Sequence, residues 1–190
     1  MRLLAASIGP VTVHAFEPTA SIAKRLLHNV EINNLHNVVV NIMAVGQFTG
    51  VGFLHDYTGS SGNNEGVNFV TLEQEGSDTT PVSVISLDDY CAQRAIDHID
   101  MLKLDIEGGE YAALLGAESL LKRKAIKLIF LELYEWAANR SNSSTTDIKR
   151  LLKEANYSLY QLHKNKLHAV NNNDPETDHN FIALPNPTAT

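Results

Sequence analysis

The chain has 190 residues, 44% hydrophobic and 19% charged, which is typical of a single soluble globular domain and excludes an extensively disordered chain. Fifteen Lys and Arg against 22 Asp and Glu give a net charge of −7, so nucleic acid and anionic membranes are not expected partners. The single cysteine, Cys91, excludes an internal disulfide. Since no signal peptide or membrane span is evident, we expect a cytoplasmic protein.

The first elements alternate between strand and helix patterns. Residues 11–16 (VTVHAF) are β-branched and alternating, which predicts a strand that ends at Glu17. Thr19 is the expected N-cap of a following helix. The helix has an apolar stripe at Ile22, Leu26 and Val30. Residues 37–45 (NVVVNIMAV) then predict a second buried strand.

The middle of the chain combines a polar segment with three further apolar runs. Residues 46–80 are rich in Gly, Ser, Asn and Thr, which predicts either a long loop or a small hairpin excursion. Residues 80–90 (TPVSVISLDDY) predict a strand that leads into a short helix. Residues 101–106 predict a buried strand, followed by one helix that ends at the basic residues 122–124. Residues 126–134 (IKLIFLELY) predict a strand covered on both faces.

The last third of the chain predicts a helix capped by Ser144 or Thr145 and then two strands, residues 157–162 and 180–185. These two strands are expected to pair antiparallel across a polar turn. The whole pattern predicts an α/β fold, a doubly wound and mostly parallel sheet with an antiparallel C-terminal edge, within a single domain of residues 1–190.

The segment DIEGGE, which follows the strand at 101–106, contains the main candidate site. Asp105 and Glu107 come where a buried strand emerges, and ligands of such sheets bind beyond the carboxyl ends of the strands. Gly108 and Gly109 allow a sharp turn into the helix. Glu110 complements the positive end of the helix dipole and is interpreted as structural. A structural role in holding the turn through backbone N–H groups stays open for Asp105 and Glu107 as well.

Glu17 is the second candidate. An acidic residue after a strand commonly accepts hydrogen bonds from the ribose hydroxyls of a nucleoside-containing cofactor. An acidic residue at this position is equally often a helix cap or part of a solvated turn. The eight histidines show no metal-ligand spacing, so they are interpreted as surface residues, and no metal site is predicted.

Four segments in order, VHAFEP, HNVEINNLHNVVVNIMAVG, VSVISLDDY and IDMLKLDIEGGEYAALLGA, resemble the FkbM family of S-adenosylmethionine-dependent methyltransferases. The resemblance spans roughly residues 11–135, and the LDD and KLDIEGGE motifs are its most specific parts. It implies a class I (Rossmann-like) methyltransferase fold. It also implies methyl transfer from S-adenosylmethionine to a hydroxyl of a small molecule or glycan.

The resemblance also implies roles for individual residues. Glu17 would hold the cofactor ribose, Met43 and Ala44 would border the adenine, and Asp105 would lie near the amino acid end of the cofactor and the methyl acceptor. Asp105 and Glu107 are therefore the catalytic candidates. A carboxylate here either accepts the hydroxyl proton or helps to hold a divalent ion that acidifies the hydroxyl. Glu132 is a further candidate member of the cluster.

One departure from the family pattern is evident. The family begins with a strand and a glycine-rich turn, Asp-x-Gly-Ala-Asn-x-Gly, that wraps the methionine part of the cofactor, and neither precedes residues 1–10 here. The sequence therefore predicts an N-terminally truncated fold that lacks the central strand. The alternative function is a truncated, inactive domain that acts by association or has no function. A nicotinamide-dependent dehydrogenase is the weakest hypothesis, because its Gly-x-Gly-x-x-Gly turn is also missing.

Overall fold

A computed structural model of the protein describes most of the chain in two compact units. The first unit comprises the described residues of 1–45 and 50–84, and the second comprises those of 46–49 and 85–190. The described ranges are 11–55, 69–71, 79–163, 166–170 and 179–187.

The first unit begins with a strand–helix–strand motif. Strand β1 (Val13–Phe16) pairs in parallel with β2 (Val38–Asn41), and helix α1 (Ala20–Ile32) connects them. Thr19 occupies the predicted N-cap position, but its side chain makes no capping hydrogen bond. The strand predicted over residues 37–45 is shorter than expected, since β2 ends at Asn41 and a separate strand follows.

That separate strand, β3 (Ala44–Val45), belongs to a four-stranded sheet with the order β3-β6-β4-β5. Strand β4 (Gly50–His55) pairs antiparallel with both β5 (Phe69–Thr71) and β6 (Thr79–Ile85). Of the two alternatives for residues 46–80, the hairpin excursion is therefore the one observed. The rest of the predicted segment, residues 56–68 and 72–78, lies outside the described residues.

The second unit carries most of the helices. Helix α2 begins after Ser86, whose side chain accepts a hydrogen bond from the Asp89 N–H. Ser144 caps α6 in the same way, as one of the two predicted alternatives. The elements of this unit are α2 (Leu87–Gln93), β7 (Leu102–Leu104), α3 (Glu110–Leu115), α4 (Glu118–Lys122), β8 (Ile129–Glu132), α5 (Glu135–Arg140), α6 (Thr145–Glu154), β9 (Tyr157–His163), β10 (Lys166–Ala169) and β11 (Asn180–Pro185).

The five strands of this unit form one sheet with the order β10-β9-β11-β8-β7. Strands β7 and β8 are parallel, whereas β11 is antiparallel to both β8 and β9. The predicted antiparallel C-terminal edge is confirmed, with β10 as an additional strand within the segment predicted to be a turn.

The prediction of a mostly parallel sheet is wrong for the described residues. The two parallel pairs, β1·β2 and β7·β8, belong to different sheets, and the remaining ladders with an assigned direction are antiparallel. The hairpin of β9 and β10 has a short connection, which permits only an antiparallel pair, whereas a parallel neighbour needs a long crossover. The fold is thus α/β with mixed sheets.

The core of the second unit lies between its sheet and helices. Cys91 is 3% exposed, as expected of a small apolar residue, and burial raises the pKa of its thiol. The predicted single helix after residue 110 breaks at Gly116, where a Cβ would lie 2.0 Å from the carbonyl oxygen of Gly46. The largest fully buried side chains are Leu114, Leu120, Leu121, Ile126, Ile129, Leu131, Ile148 and Leu152.

Candidate functional site

The turn between β7 and α3 packs tightly against the start of α5. Gly108 has a φ of +106°, and a Cβ at this position would lie 2.1 Å from the carbonyl oxygen of Ala137. Only glycine satisfies both conditions, because a side chain would clash with backbone and the φ value disfavours L residues. Glu107, just before it, also has a positive φ, 56°. The two positions together reverse the chain and present Glu107 at the end of the strand.

Glu110 holds this turn from the inside. Its side chain is 3% exposed, and its two carboxylate oxygens accept hydrogen bonds from the N–H groups of Ile106 and Gly108, each at 3.0 Å. Burial raises the pKa of Glu110, and the bonds from backbone N–H groups oppose that rise. The backbone-holding role that was left open for Asp105 and Glu107 is thus filled by Glu110.

Asp105 follows β7 directly and forms an ion pair with a residue of that strand. The Nζ atom of Lys103 lies 2.5 Å from Oδ2 of Asp105, and both side chains are about three-quarters buried, with 23% and 28% exposure. Residues i and i+2 point to the same face of an extended segment, which explains how the pair forms. The ion pair fixes the orientation of the Asp105 carboxylate at the strand end.

Glu107 and Glu132 complete an acidic cluster with Asp105, which we call the carboxylate cluster. Burial, and then the negative charges of Asp105 and Glu132, raise the pKa of Glu107. Glu132 ends β8, the parallel neighbour of β7, so all three carboxylates come from the carboxyl ends of adjacent parallel strands. The Tyr134 hydroxyl donates a hydrogen bond to Oε1 of Glu132 at 3.1 Å, which raises the pKa of Tyr134.

His179 is a site residue that the sequence interpretation missed. Its ring lies 4.2 Å from the ring of Tyr134, between centroids, and its Nδ1 lies 3.1 Å from the carbonyl oxygen of Leu133. The backbone N–H of Leu133 in turn donates to the carbonyl of His179 at 2.8 Å. The only sequence signal was its place just before the last strand, and its partner lies 46 residues earlier in the chain.

Aromatic and basic side chains lie beside this cluster. Trp136 is 47% exposed and its ring lies 5.7 Å from that of Tyr134. The guanidinium of Arg140 sits 4.5 Å from the Trp136 ring centroid, a cation–π distance, and its charge acts to lower the pKa of Glu107. Tyr134 and Trp136 therefore offer an apolar surface next to the carboxylates.

Glu17 lies at the carboxyl end of β1 in the first unit. Its Oε1 accepts a hydrogen bond from the Thr19 N–H at 2.8 Å, so the carboxylate caps the start of α1 where the Thr19 side chain does not. The Glu17 N–H donates to the carbonyl of Asn41 at 3.0 Å, and the Asn41 side-chain amide donates to the carbonyl of Ala15 at 3.1 Å. These bonds fix Glu17 beside the end of β2.

Met43 and Ala44 were expected at the end of the strand that follows α1, but this strand, β2, ends earlier, at Asn41. Met43 lies between β2 and β3 and is half-buried, whereas Ala44 begins β3 and is 7% exposed. Ile42, directly before them, is 52% exposed. The end of β2, to which the Glu17 N–H is hydrogen-bonded, is therefore followed by apolar side chains.

Two absences hold for the residues that the structure describes. Among them, no group of three or more His, Cys, Asp or Glu side chains is arranged to hold a metal ion. No helix in the same part of the chain is both long enough and apolar enough to cross a membrane.

These features define an α/β protein with acidic groups at the carboxyl ends of parallel strands, where such folds bind ligands. A family model described as the methyltransferase FkbM domain matches residues 6–159. The chain therefore belongs to the FkbM methyltransferase family, as its motifs had indicated.

A structural comparison supports the same fold. The protein is similar to the crystal structure of methyltransferase FkbM from Methylobacillus flagellatus KT, with a TM-score of 0.53 and 16% sequence identity. The match covers 96% of this chain but only 39% of that one, so the present chain corresponds to well under half of the solved protein. A comparison with curated proteins gives no significant match.

Proposed function

We propose that the protein is an S-adenosylmethionine-dependent methyltransferase that methylates a hydroxyl group of a small molecule or glycan. Membership of the FkbM methyltransferase family supports the reaction class. The observation that carries the proposal is the carboxylate cluster at the ends of β7 and β8, which gives an acceptor hydroxyl a set of hydrogen-bond acceptors beside the half-buried Tyr134 and the exposed Trp136. We further propose that residues 1–190 act as one domain with a Rossmann-like arrangement.

The residues proposed to hold the methyl donor fit it in part. A carboxylate has about four lone-pair positions, so Glu17 can accept from ribose hydroxyls while it accepts from the Thr19 N–H. Met43, with the exposed Ile42 beside it, suits contact with an adenine ring, and Ala44 would contribute backbone. Asp105 is the proposed neighbour of the amino acid end. When bound, the donor supplies an electrophilic methyl group. The part of the chain that the structure describes contains no glycine-rich turn for the methionine carboxylate.

Asp105 and Glu107 are the proposed catalytic residues. Methyl transfer is a displacement that depends mainly on holding the attacking oxygen in position, and carboxylate oxygens do this by accepting the hydrogen bond of the hydroxyl. Lys103 keeps the Asp105 carboxylate oriented, and the turn held by Glu110 keeps Glu107 at the strand end. Asp105→Asn should fold normally and turn over much more slowly. If it unfolds while activity per folded molecule stays intact, Asp105 is structural.

Calorimetric titration of the full-length protein with S-adenosylmethionine and S-adenosylhomocysteine tests the donor site. We expect binding, and we expect Glu17→Ala to weaken it by about 1–3 kcal/mol, the scale of hydrogen bonds to a charged group. Unchanged affinity would remove Glu17 from the site.

The alternative is an inactive methyltransferase-like domain that acts by association. It is favoured by one observation, that β1 and β2 form a sheet of their own and β7 is the last strand of its sheet among the described residues, so each of these sheets ends in an edge to which a further strand can pair. Absence of binding to either compound in the same titration would favour this alternative.

A further inference from the structure

His179 combines three properties that a base for the proposed reaction needs. It is exposed, it lies at the carboxyl end of β8 beside Tyr134, and the hydrogen-bond partner of its ring fixes its proton. These contacts all fall within the second unit, so they stand independently of where the first unit lies.

The tautomer of His179 follows from its partner. A backbone carbonyl oxygen can only accept a hydrogen bond, so the Nδ1 atom at 3.1 Å from the Leu133 oxygen must carry a hydrogen. The neutral ring then has its lone pair on Nε2. A backbone carbonyl thus does for His179 what a carboxylate or carbonyl partner does for many catalytic histidines: it holds the ring in one tautomer and one orientation.

The ring of His179 lies next to the carboxylate cluster. Tyr134 lies against His179 and donates a hydrogen bond to Glu132, a member of that cluster. Two of the three carboxylates already have partners, since Asp105 is paired with Lys103 and Glu132 accepts a hydrogen bond from Tyr134.

We propose that His179 is the catalytic base of this methyltransferase, accepting on Nε2 the proton of the acceptor hydroxyl that Asp105 and Glu107 hold. The O–H bond breaks and its proton goes to Nε2. The electron pair left on oxygen forms the new bond to the methyl carbon, and the carbon–sulfur bond of the donor breaks with its electrons remaining on sulfur. The inference rests on the proposed function. Imidazole is the side chain most often used for such a transfer, which contributes about 10²–10⁴-fold to the rate.

Two substitutions of His179 distinguish the roles of its two ring nitrogens. In His179→Asn the amide nitrogen takes the position of Nδ1 and keeps the bond to the Leu133 carbonyl, but nothing replaces Nε2. In His179→Gln an amide group reaches toward the position of Nε2 and the Leu133 bond is lost. His98→Asn is the matched control, because His98 is 56% exposed and precedes β7 at its opposite, amino end.

The experiment measures turnover of S-adenosylmethionine with a mixture of methyl glycosides in the full-length protein, together with donor binding and melting temperature. We expect His179→Asn to melt and bind donor like the wild type, to keep its KM, and to lose about 10²–10⁴-fold in kcat, partly restored by added imidazole. His98→Asn should match the wild type throughout. Full turnover in His179→Asn, or a lower melting temperature with kcat per folded molecule unchanged, would overturn the proposal.

A ¹⁵N NMR measurement of the histidine tautomers needs neither donor nor acceptor. Hydrogen on Nδ1 of His179 is expected, and hydrogen on Nε2 would overturn the proposal whatever the activity. If the wild type binds donor and His179→Asn loses kcat as described, both proposals are supported. A wild type that binds no donor and transfers no methyl group overturns the proposed function and, with it, the role of His179 as its base.

Discussion

Two turns of this protein look alike in sequence and differ in what their acids do. The turn after β1 carries Glu17 and the turn after β7 carries Asp105, Glu107 and Glu110, and each leads from a parallel strand into a helix. Glu17 gives one oxygen to a single backbone N–H. Glu110 gives both oxygens to backbone N–H groups and is almost fully buried.

The hydrogen bonds in the two turns distinguish structural from functional acids at strand ends. A carboxylate whose oxygens are both taken by backbone donors in a buried turn has little left with which to bind a ligand. In the turn after β7, Glu110 carries out that structural task, and this leaves Asp105 and Glu107 at the strand end. In the turn after β1, Glu17 carries out a smaller structural task and retains lone pairs for a ligand.

The largest effect is expected where the turn after β7 touches α5. Gly108→Ala places a Cβ 2.1 Å from the Ala137 oxygen at a φ of +106°, so backbone strain of about 1–3 kcal/mol adds to overpacking of about 1–3 kcal/mol. We expect the free energy of unfolding to fall by about 2–6 kcal/mol in denaturant titrations.

Gly109→Ala is the matched control for that substitution. Its φ is −79° and the nearest neighbour of an added Cβ is the Ile106 Cδ1 at 3.3 Å, the end of a flexible side chain. We expect a loss below about 1 kcal/mol. Equal losses at both positions would show that the turn responds to any added methyl group and not to the approach of α5.

The next effect concerns the carboxylate inside the turn. Glu110→Gln keeps the shape but has one carbonyl oxygen, so one of the Ile106 and Gly108 N–H groups faces an NH₂ group. An unsatisfied buried donor costs about 1–3 kcal/mol, and we expect that loss in the free energy of unfolding. Glu118→Gln, on an exposed first turn of α4 at 68% side-chain exposure, should change stability by less than about 0.5 kcal/mol. If the two variants are equally stable, the turn is not held by Glu110.

Replacing Glu107 should stabilise the protein, whereas replacing Glu110 should destabilise it. Its pKa is raised above the ordinary 4.5 by burial and by its negative neighbours, so its ionised form destabilises the fold. That cost is complete above the raised pKa and disappears as the pH falls below 4.5. Glu107→Gln should therefore raise the melting temperature at neutral pH, and the free energy of unfolding should rise by less than about 1 kcal/mol. This gain in stability should vanish under acid conditions.

Asp147 provides a control of opposite sign for the pH series. Hydrogen bonds from Ser144 lower its pKa below 3.8, so its ionised form stabilises the start of α6. Asp147→Asn should lower the melting temperature at neutral pH, and the difference should shrink as the pH falls through the lowered pKa. A gain for Glu107→Gln that is independent of pH would mean that its charge is not the cause.

The sequence predicted what depends on neighbouring residues. The pattern of residues 11–16, the Ser144 cap and the position of Asp105 at a strand end all depend on residues a few positions apart, and all are observed. Glu110 was interpreted as structural, but its hydrogen bonds to the Ile106 and Gly108 N–H groups were not predicted, because the dipole argument concerns only its own helix. Counting its backbone donors requires the turn geometry.

Residues far apart in the chain set the rest of the fold and site. His179 reaches Leu133 only because β11 pairs antiparallel with β8, a register that no local pattern contains. Strand β10 lies in a segment whose polar composition predicts a turn, and its residues are all exposed at the edge of the sheet. An edge strand needs no apolar alternation, so its sequence gives no strand signal.

The smallest effect is expected at Glu17, and it decides whether the two turns really differ. Glu17→Gln keeps an oxygen that can accept from the Thr19 N–H at 2.8 Å, so the free energy of unfolding should change by less than about 0.5 kcal/mol. Glu17→Ala removes that acceptor and should cost about 0.5–1.5 kcal/mol, the usual net value of one hydrogen bond. Both losses should be smaller than that of Glu110→Gln, because Glu17 satisfies one donor in a partly exposed turn. If Glu17→Gln destabilises the protein as much as Glu110→Gln does, the charge of Glu17 is fully used by the fold. Glu17 would then be a structural acid, like Glu110, and would have no lone pair to spare for a ligand.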